Sequence, residues 1–546
     1  MDCLWLKMIW LHLIALRFML CILPQTGLIS EREFSESSEL TAANVFGIVN
    51  NGHSSQPVLF PLLSSGLPFL LLQYISKLFP SIITPYTLLL VPRFFMTITS
   101  LVVDILTYKI SLKLYNSQEK AHYASLMFAS SAISWIFCTR TFVATFQLVL
   151  VTTILFLIIC KDYSHNQVLL ISYLSSLATY VDVQSAGMVL LPLVFWLLRS
   201  RTTFVSKAIS LLLGCTFTFA ILTLIDCFFS TPEKLVDLYD TGIQQMSNLF
   251  IKLNFAPYDQ FSKYIEVTAI DFQAAKLLLV LSPLYLFAFW KTFTQTHNGA
   301  ISNLKWSVNM MWTLITANLL LVLLFTPHDY YVLLSLTVPL VVLGSFCLSH
   351  IKHVKLLCGS WMVLNIFTFL CFGMAYEGGM LPCIEYLHSI VKTHSQISNN
   401  SDINVLFYRT PLPPIHLINW PAKESTTRTT VSALQIQHSM ETDLKLLEMH
   451  INRSLIYDNS IMYIIFPASI PCKTYMHLNS MYHLELFFEF FPHLTFIDPI
   501  WQHGNGCVEE SRTFSKVLGL SSLKMYRITH LSRPTKHTIH YNIFSQ

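Results

Sequence analysis

The stretch Phe142-Val143-Ala144-Thr145-Phe146-Gln147-Leu148-Val149-Leu150-Val151-Thr152-Thr153-Ile154-Leu155-Phe156-Leu157-Ile158-Ile159-Cys160 holds no Asp, Glu, Lys or Arg and is bounded by Arg140 and Lys161. As a helix it crosses the roughly 30 Å hydrocarbon core of a bilayer, because each residue adds about 1.5 Å. Comparable apolar runs cover Leu4 to Leu23 and, approximately, residues 86–106, 123–137, 168–180, 187–198, 209–229, 274–290, 308–325, 331–348 and 356–374. The chain is therefore expected to be an all-α polytopic membrane protein of about eleven spans. Composition agrees: 53% of the 546 residues are apolar, 12% are charged and the mean hydropathy is +0.54. A net charge of +4 spread over this length excludes a nucleic-acid-binding role. Most of the 12 cysteines lie inside apolar runs, and no CxxC or His/Cys cluster has metal-ligand spacing, so neither a disulfide framework nor a metal site is indicated.

Lysine and arginine in short loops orient the spans, because cytoplasmic loops keep positive charge during insertion. With the N-terminus cytoplasmic, alternate loops carry Lys109, Lys113 and Lys120, then Lys161, then Arg199, Arg201 and Lys207, then Lys291 and Lys305, then Lys352 and Lys355. The short loops opposite hold only Arg140. The run Leu4 to Leu23, interrupted by Arg17, lacks a clear small-x-small cleavage site and is read as an uncleaved first span. The expected division is a multi-span membrane domain over residues 1–376, with its first luminal loop at 24–85, and a luminal C-terminal region of mixed structure over 377–546. Within the first loop, Val58 to Phe79 is apolar but broken by Pro61, Gly66 and Pro68, a pattern expected of interfacial helices rather than a clean span. The sequons at Asn399 and Asn452 would be usable as glycosylation sites only in the lumen of the secretory pathway.

Ionisable residues near a membrane are costly and are functional candidates by default. Here they are Arg93, Asp104, Arg140, Asp182, Asp226, His328 and Asp329, all expected near span ends, where snorkelling is the plain structural explanation. No charged pair is expected at mid-depth, which disfavours a transporter. The first loop opens with Glu31, Glu33, Glu36 and Glu39. A row of glutamates after a span is commonly just solvated loop. Sugar transfer from a lipid phosphate, however, needs a carboxylate to take the acceptor's proton and donors to hold the leaving phosphate. Glu31 or Glu33 could supply the first, and Arg140 or His328 the second.

Several stretches, in order, carry a resemblance: Pro57-Val58-Leu59-Phe60-Pro61; Pro92-Arg93 followed by Asp104; Thr139-Arg140-Thr141-Phe142; Asp226 with Phe228 and Phe229; Glu377-Gly378-Gly379-Met380-Leu381-Pro382; and Phe491-Pro492-His493-Leu494-Thr495. The chain resembles the GPI mannosyltransferases, most closely the fourth-mannose type. That resemblance implies a GT-C type helix bundle in the endoplasmic reticulum and no cofactor. It also implies dolichyl phosphate mannose as donor, a GPI-anchor precursor bearing three mannoses as acceptor, and an alpha-1,2 bond formed with inversion. The family's His-Pro-Asp-Glu motif is matched by Ile29-Ser30-Glu31-Arg32, which sets Glu31 in the base's place without the histidine and proline. Arg140, His328, Arg93, Glu33 and Asp226 are the expected contacts to donor phosphate or substrate. Other motif positions depart: Pro327-His328-Asp329 loses an arginine, and Val181-Asp182-Val183-Gln184 has an acid where an arginine is usual. A non-catalytic relative that binds lipid-linked glycans or scaffolds GPI assembly is the alternative.

Overall fold

The computed structural model describes residues 3–23, 25–30, 32–47, 57–160, 164–182, 184–199, 204–229, 308–309, 311–312, 314–315, 334–348, 354–397, 403–418, 434–439, 444–455, 461–468, 470, 472–493 and 522–530. Expected positions Glu31, His328, Asp329 and Asn399, the expected span 274–290 and most of 308–325 lie outside the described residues. The chain forms two compact units, Met1–Gln25 with Arg32–Cys371, and Thr26–Glu31 with Phe372–Gln546.

The first unit is helical. Its elements are α1 (Cys3–Ile22), α2 (Glu39–Phe46), α3 (Leu59–Ser76), α4 (Pro85–Tyr115), α5 (Gln118–Ala129), α6 (Ala132–Ile136), α7 (Val143–Cys160), α8 (His165–Val181), α9 (Gln184–Leu198), α10 (Phe204–Phe229), α11 (Thr337–Leu348) and α12 (Val354–Thr368). Among the described residues, six helical runs are long and apolar enough to cross a membrane: Leu4–Ile22, Leu59–Ser76, Pro85–Tyr115, Val143–Cys160, Phe204–Phe228 and Leu356–Ala375.

Local chemistry explains the boundaries of α4. Thr84 accepts from the Thr87 backbone N–H at 3.1 Å, and Thr87 Oγ1 accepts from the Thr84 N–H at 2.9 Å, which forms a reciprocal cap ahead of Pro85. Asn116 ends the helix in the left-handed region at φ +47°, a conformation asparagine tolerates. Pro92 sits inside the helix and offers no N–H to the preceding turn, one residue before Arg93.

Three segments differ from the sequence expectation. The breakers in Val58 to Phe79 do not end the helix, because a π-helical turn at Leu62–Gly66 absorbs them and α3 runs on to Ser76 with the length of a span. The run 123–137 is not one span: Ser130 closes α5, and Ser131 Oγ caps α6 by accepting from the Ser134 N–H at 3.1 Å. Asp104 was expected near a span end, yet α4 continues to Tyr115 and leaves it in the helix interior, where it pairs with Arg17. Buried charges within the spans were not expected, and this pair corrects that reading.

The second unit contains a five-stranded sheet of order β2-β1-β3-β5-β4, from β1 (Ile403–Tyr408), β2 (Leu434–Ser439), β3 (Ile461–Pro467), β4 (Tyr482–Phe490) and β5 (Leu523–His530). β1 runs parallel to β2 and β3, whereas β5 runs antiparallel to β3 and β4. Helices α13 (Met380–Ile397), α14 (Ile415–Ile418), α15 (Leu444–Leu455) and α16 (Cys472–Met481) accompany it. Leu447, Ile451 and Leu478 pack with Leu406, Ile464, Phe466 and Tyr526 to form its core. Asn452 is exposed on α15, and its Oδ1 accepts from the Tyr482 hydroxyl at 2.9 Å.

Thr26–Leu28 joins this unit through hydrogen bonds to its backbone. Gly27 N–H donates to Gly373 O at 3.0 Å, Leu28 N–H to Tyr376 O at 2.9 Å, and Thr26 Oγ1 to Met374 O at 2.8 Å. A Cβ at Gly27 would stand 2.5 Å from Phe372 O, so only glycine permits the approach.

Candidate active site

A carboxylate held by two arginines lies where the first polar segment meets the helices. Glu33 comes from that segment, Arg93 from α4, and Arg140 from the turn between α6 and α7. Arg93 Nε donates to Glu33 Oε1 at 2.9 Å, and its Nη2 lies 2.8 Å from the same oxygen. Arg140 Nη1 reaches Glu33 Oε2 at 3.4 Å. The side chains of Glu33 and Arg140 are 0% exposed and that of Arg93 only 4%.

Neighbouring groups complete the enclosure. Arg140 Nε donates to Gln25 Oε1 at 3.2 Å, and Gln25 Nε2 donates to Thr139 Oγ1 at 2.9 Å and Trp135 O at 3.0 Å. Thr141 Oγ1 donates to the Glu33 carbonyl at 3.1 Å and accepts from Ser37 Oγ at 3.1 Å; Ser37 Oγ also contacts the Glu33 carbonyl. A π-helical turn at Phe34–Ser38 begins directly after Glu33, and such turns recur where a backbone is reshaped around a site. Phe34 lies against Arg93, whose guanidinium carbon is 5.9 Å from the ring centre.

Of the expected site residues, the fold brings Glu33, Arg93 and Arg140 together. Asp226 has other partners, accepting from the Tyr180 hydroxyl at 2.5 Å and from the Val58 N–H at 3.2 Å. Nearby in sequence to Tyr180, Asp182 accepts from Gln147 Nε2 at 2.5 Å. Sequence reasoning named neither Gln25 nor Thr139 as site residues. Their available signal was a glutamine just past the first apolar run and a threonine beside Arg140. In the second unit, two of the resembling stretches meet: His493 Nε2 lies 3.0 Å from Glu377 Oε2, with both side chains buried. There a Cβ at Gly378 would stand 2.6 Å from Pro492 O.

Residues 8–413 match the Alg9-like mannosyltransferase family. The chain belongs to the Alg9-like mannosyltransferase family. This mannosyltransferase is 26% identical over 454 residues to GPI alpha-1,2-mannosyltransferase 4 of Homo sapiens, an alignment covering 76% of each chain. Its structure is similar to a crystal structure of ArnT from Cupriavidus metallidurans bound to undecaprenyl phosphate, with a TM-score of 0.50, 9% identity, and coverage of 87% of this chain and 95% of that one. At such identity the likeness speaks for the fold, which is of the GT-C type. The expectations of a GPI-mannosyltransferase-like chain, of an enzyme and of a glycosyltransferase are borne out.

Proposed function

We propose that the chain is a multi-pass protein of the endoplasmic reticulum that adds an alpha-1,2-linked fourth mannose to a trimannosyl GPI-anchor precursor, with dolichyl phosphate mannose as donor and no cofactor. The observation that carries this is the similarity to human GPI alpha-1,2-mannosyltransferase 4 across 76% of both chains. Lysine-bearing loops support a cytoplasmic N-terminus and a luminal C-terminal region of residues 377–546, with Asn399 and Asn452 as glycan acceptors.

In the reaction the acceptor hydroxyl oxygen attacks the anomeric carbon of mannose. The bond from that carbon to the phosphate oxygen breaks, dolichyl phosphate leaves, and the hydroxyl proton passes to a carboxylate. Glu31 is that base in our reading, and Glu33 is not. A carboxylate enclosed by two guanidiniums is committed to them, whereas Glu31 is two residues away and within about 7 Å of chain. Glu33, Arg93, Arg140 and Gln25 then act by fixing the segment that carries Glu31. The positive excess of two guanidiniums over one carboxylate favours an anionic leaving group at the same end of the bundle. His328 and Asp226 remain assigned to substrate contact.

Expression in cells lacking the fourth-mannose enzyme tests the reading. Tetramannosyl precursors should reappear with the wild-type chain and vanish with Glu31→Gln. Abundant, correctly located protein without any restoration would refute it. The second reading, a non-catalytic relative, draws on the replacement of the motif's histidine and proline by Ile29 and Ser30. It requires that Glu31→Gln leave the cellular phenotype intact.

A further inference from the structure

The bundle buries a second carboxylate–guanidinium pair, which takes no part in the transfer described above. Arg17 on α1 grips Asp104 on α4 with two prongs, Nη1 to Oδ2 at 2.7 Å and Nη2 to Oδ1 at 3.2 Å. Arg17 Nη2 also donates to Ser134 Oγ on α6 at 2.9 Å, and Nη1 to Ser100 Oγ at 3.4 Å. Both side chains are 0% exposed. Along α4, Asp104 is about 16 Å past Arg93 and about 8 Å before Lys109, counting about 1.5 Å per residue. It therefore lies inside the apolar stretch of α4, where an unpaired charge is expensive.

We propose that Arg17 and Asp104 form a clamp that fixes the register of α1 against α4 and, with it, the entry of the first polar segment. The clamp has a geometric consequence, because α1 is helical to Ile22 and Gln25 follows closely. A slip of one residue along the axis moves Gln25 by about 1.5 Å, enough to break its 3.2 Å contact with Arg140 and its 2.9 Å contact with Thr139. Arg17 and Asp104 are thus positioning residues, a role that rests on the proposed reaction of the first segment.

The full chain tests the clamp. Arg17→Leu strands Asp104 and should reduce recovery of monodisperse protein. Arg17→Met combined with Asp104→Leu removes both charges, so the fold should survive with an unchanged or raised melting temperature. In that double variant kcat should fall at least about tenfold with the KM for dolichyl phosphate mannose unchanged, the mark of lost positioning. An unchanged kcat would overturn the positioning role. The exchange Arg17→Asp with Asp104→Arg should also restore folding, and failure of both paired variants to fold would sink the clamp. Absence of transfer by the wild-type chain would instead defeat the proposed reaction, while folding and melting of the single and paired variants still decide whether α1 is clamped.

Discussion

The two buried ion pairs of the helical unit are built on opposite plans. Arg17 and Asp104 match one guanidinium to one carboxylate through two hydrogen bonds, with serines on either side and no net charge. At the end of the bundle, Glu33 is shared unequally by Arg93 at 2.8 Å and Arg140 at 3.4 Å, which leaves one positive charge in excess. The neutral pair suits a dry interior, where an uncompensated charge has no solvent to lean on. The unequal cluster lies beside polar backbone, and in the proposed reaction its excess charge would meet the phosphate that is expelled. On that proposal one arrangement serves cohesion and the other placement.

Breaking the neutral pair should cost the most. Arg17→Leu is expected to destabilise the protein by about 3–5 kcal/mol, since it leaves Asp104 buried without its counter-ion; thermal unfolding in detergent measures this, and a change below about 1 kcal/mol would remove the distinction between the two sites. Glu33→Gln should cost somewhat less, about 3 kcal/mol, because the amide oxygen still accepts from one arginine. Transfer activity should fall with it, and a stable variant of full activity would show that the cluster does not place the reactive segment. Gln25→Leu removes an uncharged side chain, taking one acceptor from Arg140 and one donor from Thr139, and is expected to cost about 1–3 kcal/mol, with a loss of activity smaller than that of Glu33→Gln under the same assay.

The smallest effect lies in the second unit and depends on pH. His388 on α13 is half-buried beside Ile418 O at 3.3 Å, and burial holds its pKa below the usual histidine range. The unfolded chain therefore binds the proton more readily. Stability should be full above about pH 6.5, the ordinary histidine value, and should decline as the pH falls through and below it. His388→Gln should flatten that decline, and an unaltered pH profile would show that other groups set it.

How much of this was legible in the sequence depends on the range of the interaction involved. Membrane class, most helices and the arginines at 93 and 140 follow from local chemistry, because hydrophobic run length and the cost of burying charge are properties of short segments. The collinear motifs carried the family. The helix break at Ser130-Ser131 and the continuity of α3 were harder to read, since caps and π-helical turns override the same breaker residues in opposite directions.

Pairing was out of reach. Arg17 and Asp104 are 87 positions apart, Arg93 and Glu33 are 60, and Arg140 and Glu33 are 107. Nothing in the spacing of charges selects one partner over another at such separations. The sequence by itself determined that these groups would be costly in an apolar surrounding and had to be satisfied. Only the packing of α1, α4 and the turn before α7 decided that Glu33 would be enclosed by arginines and that Arg17 would find its counter-ion inside the bundle, because a side chain reaches only a few ångströms and the helices must first bring it there.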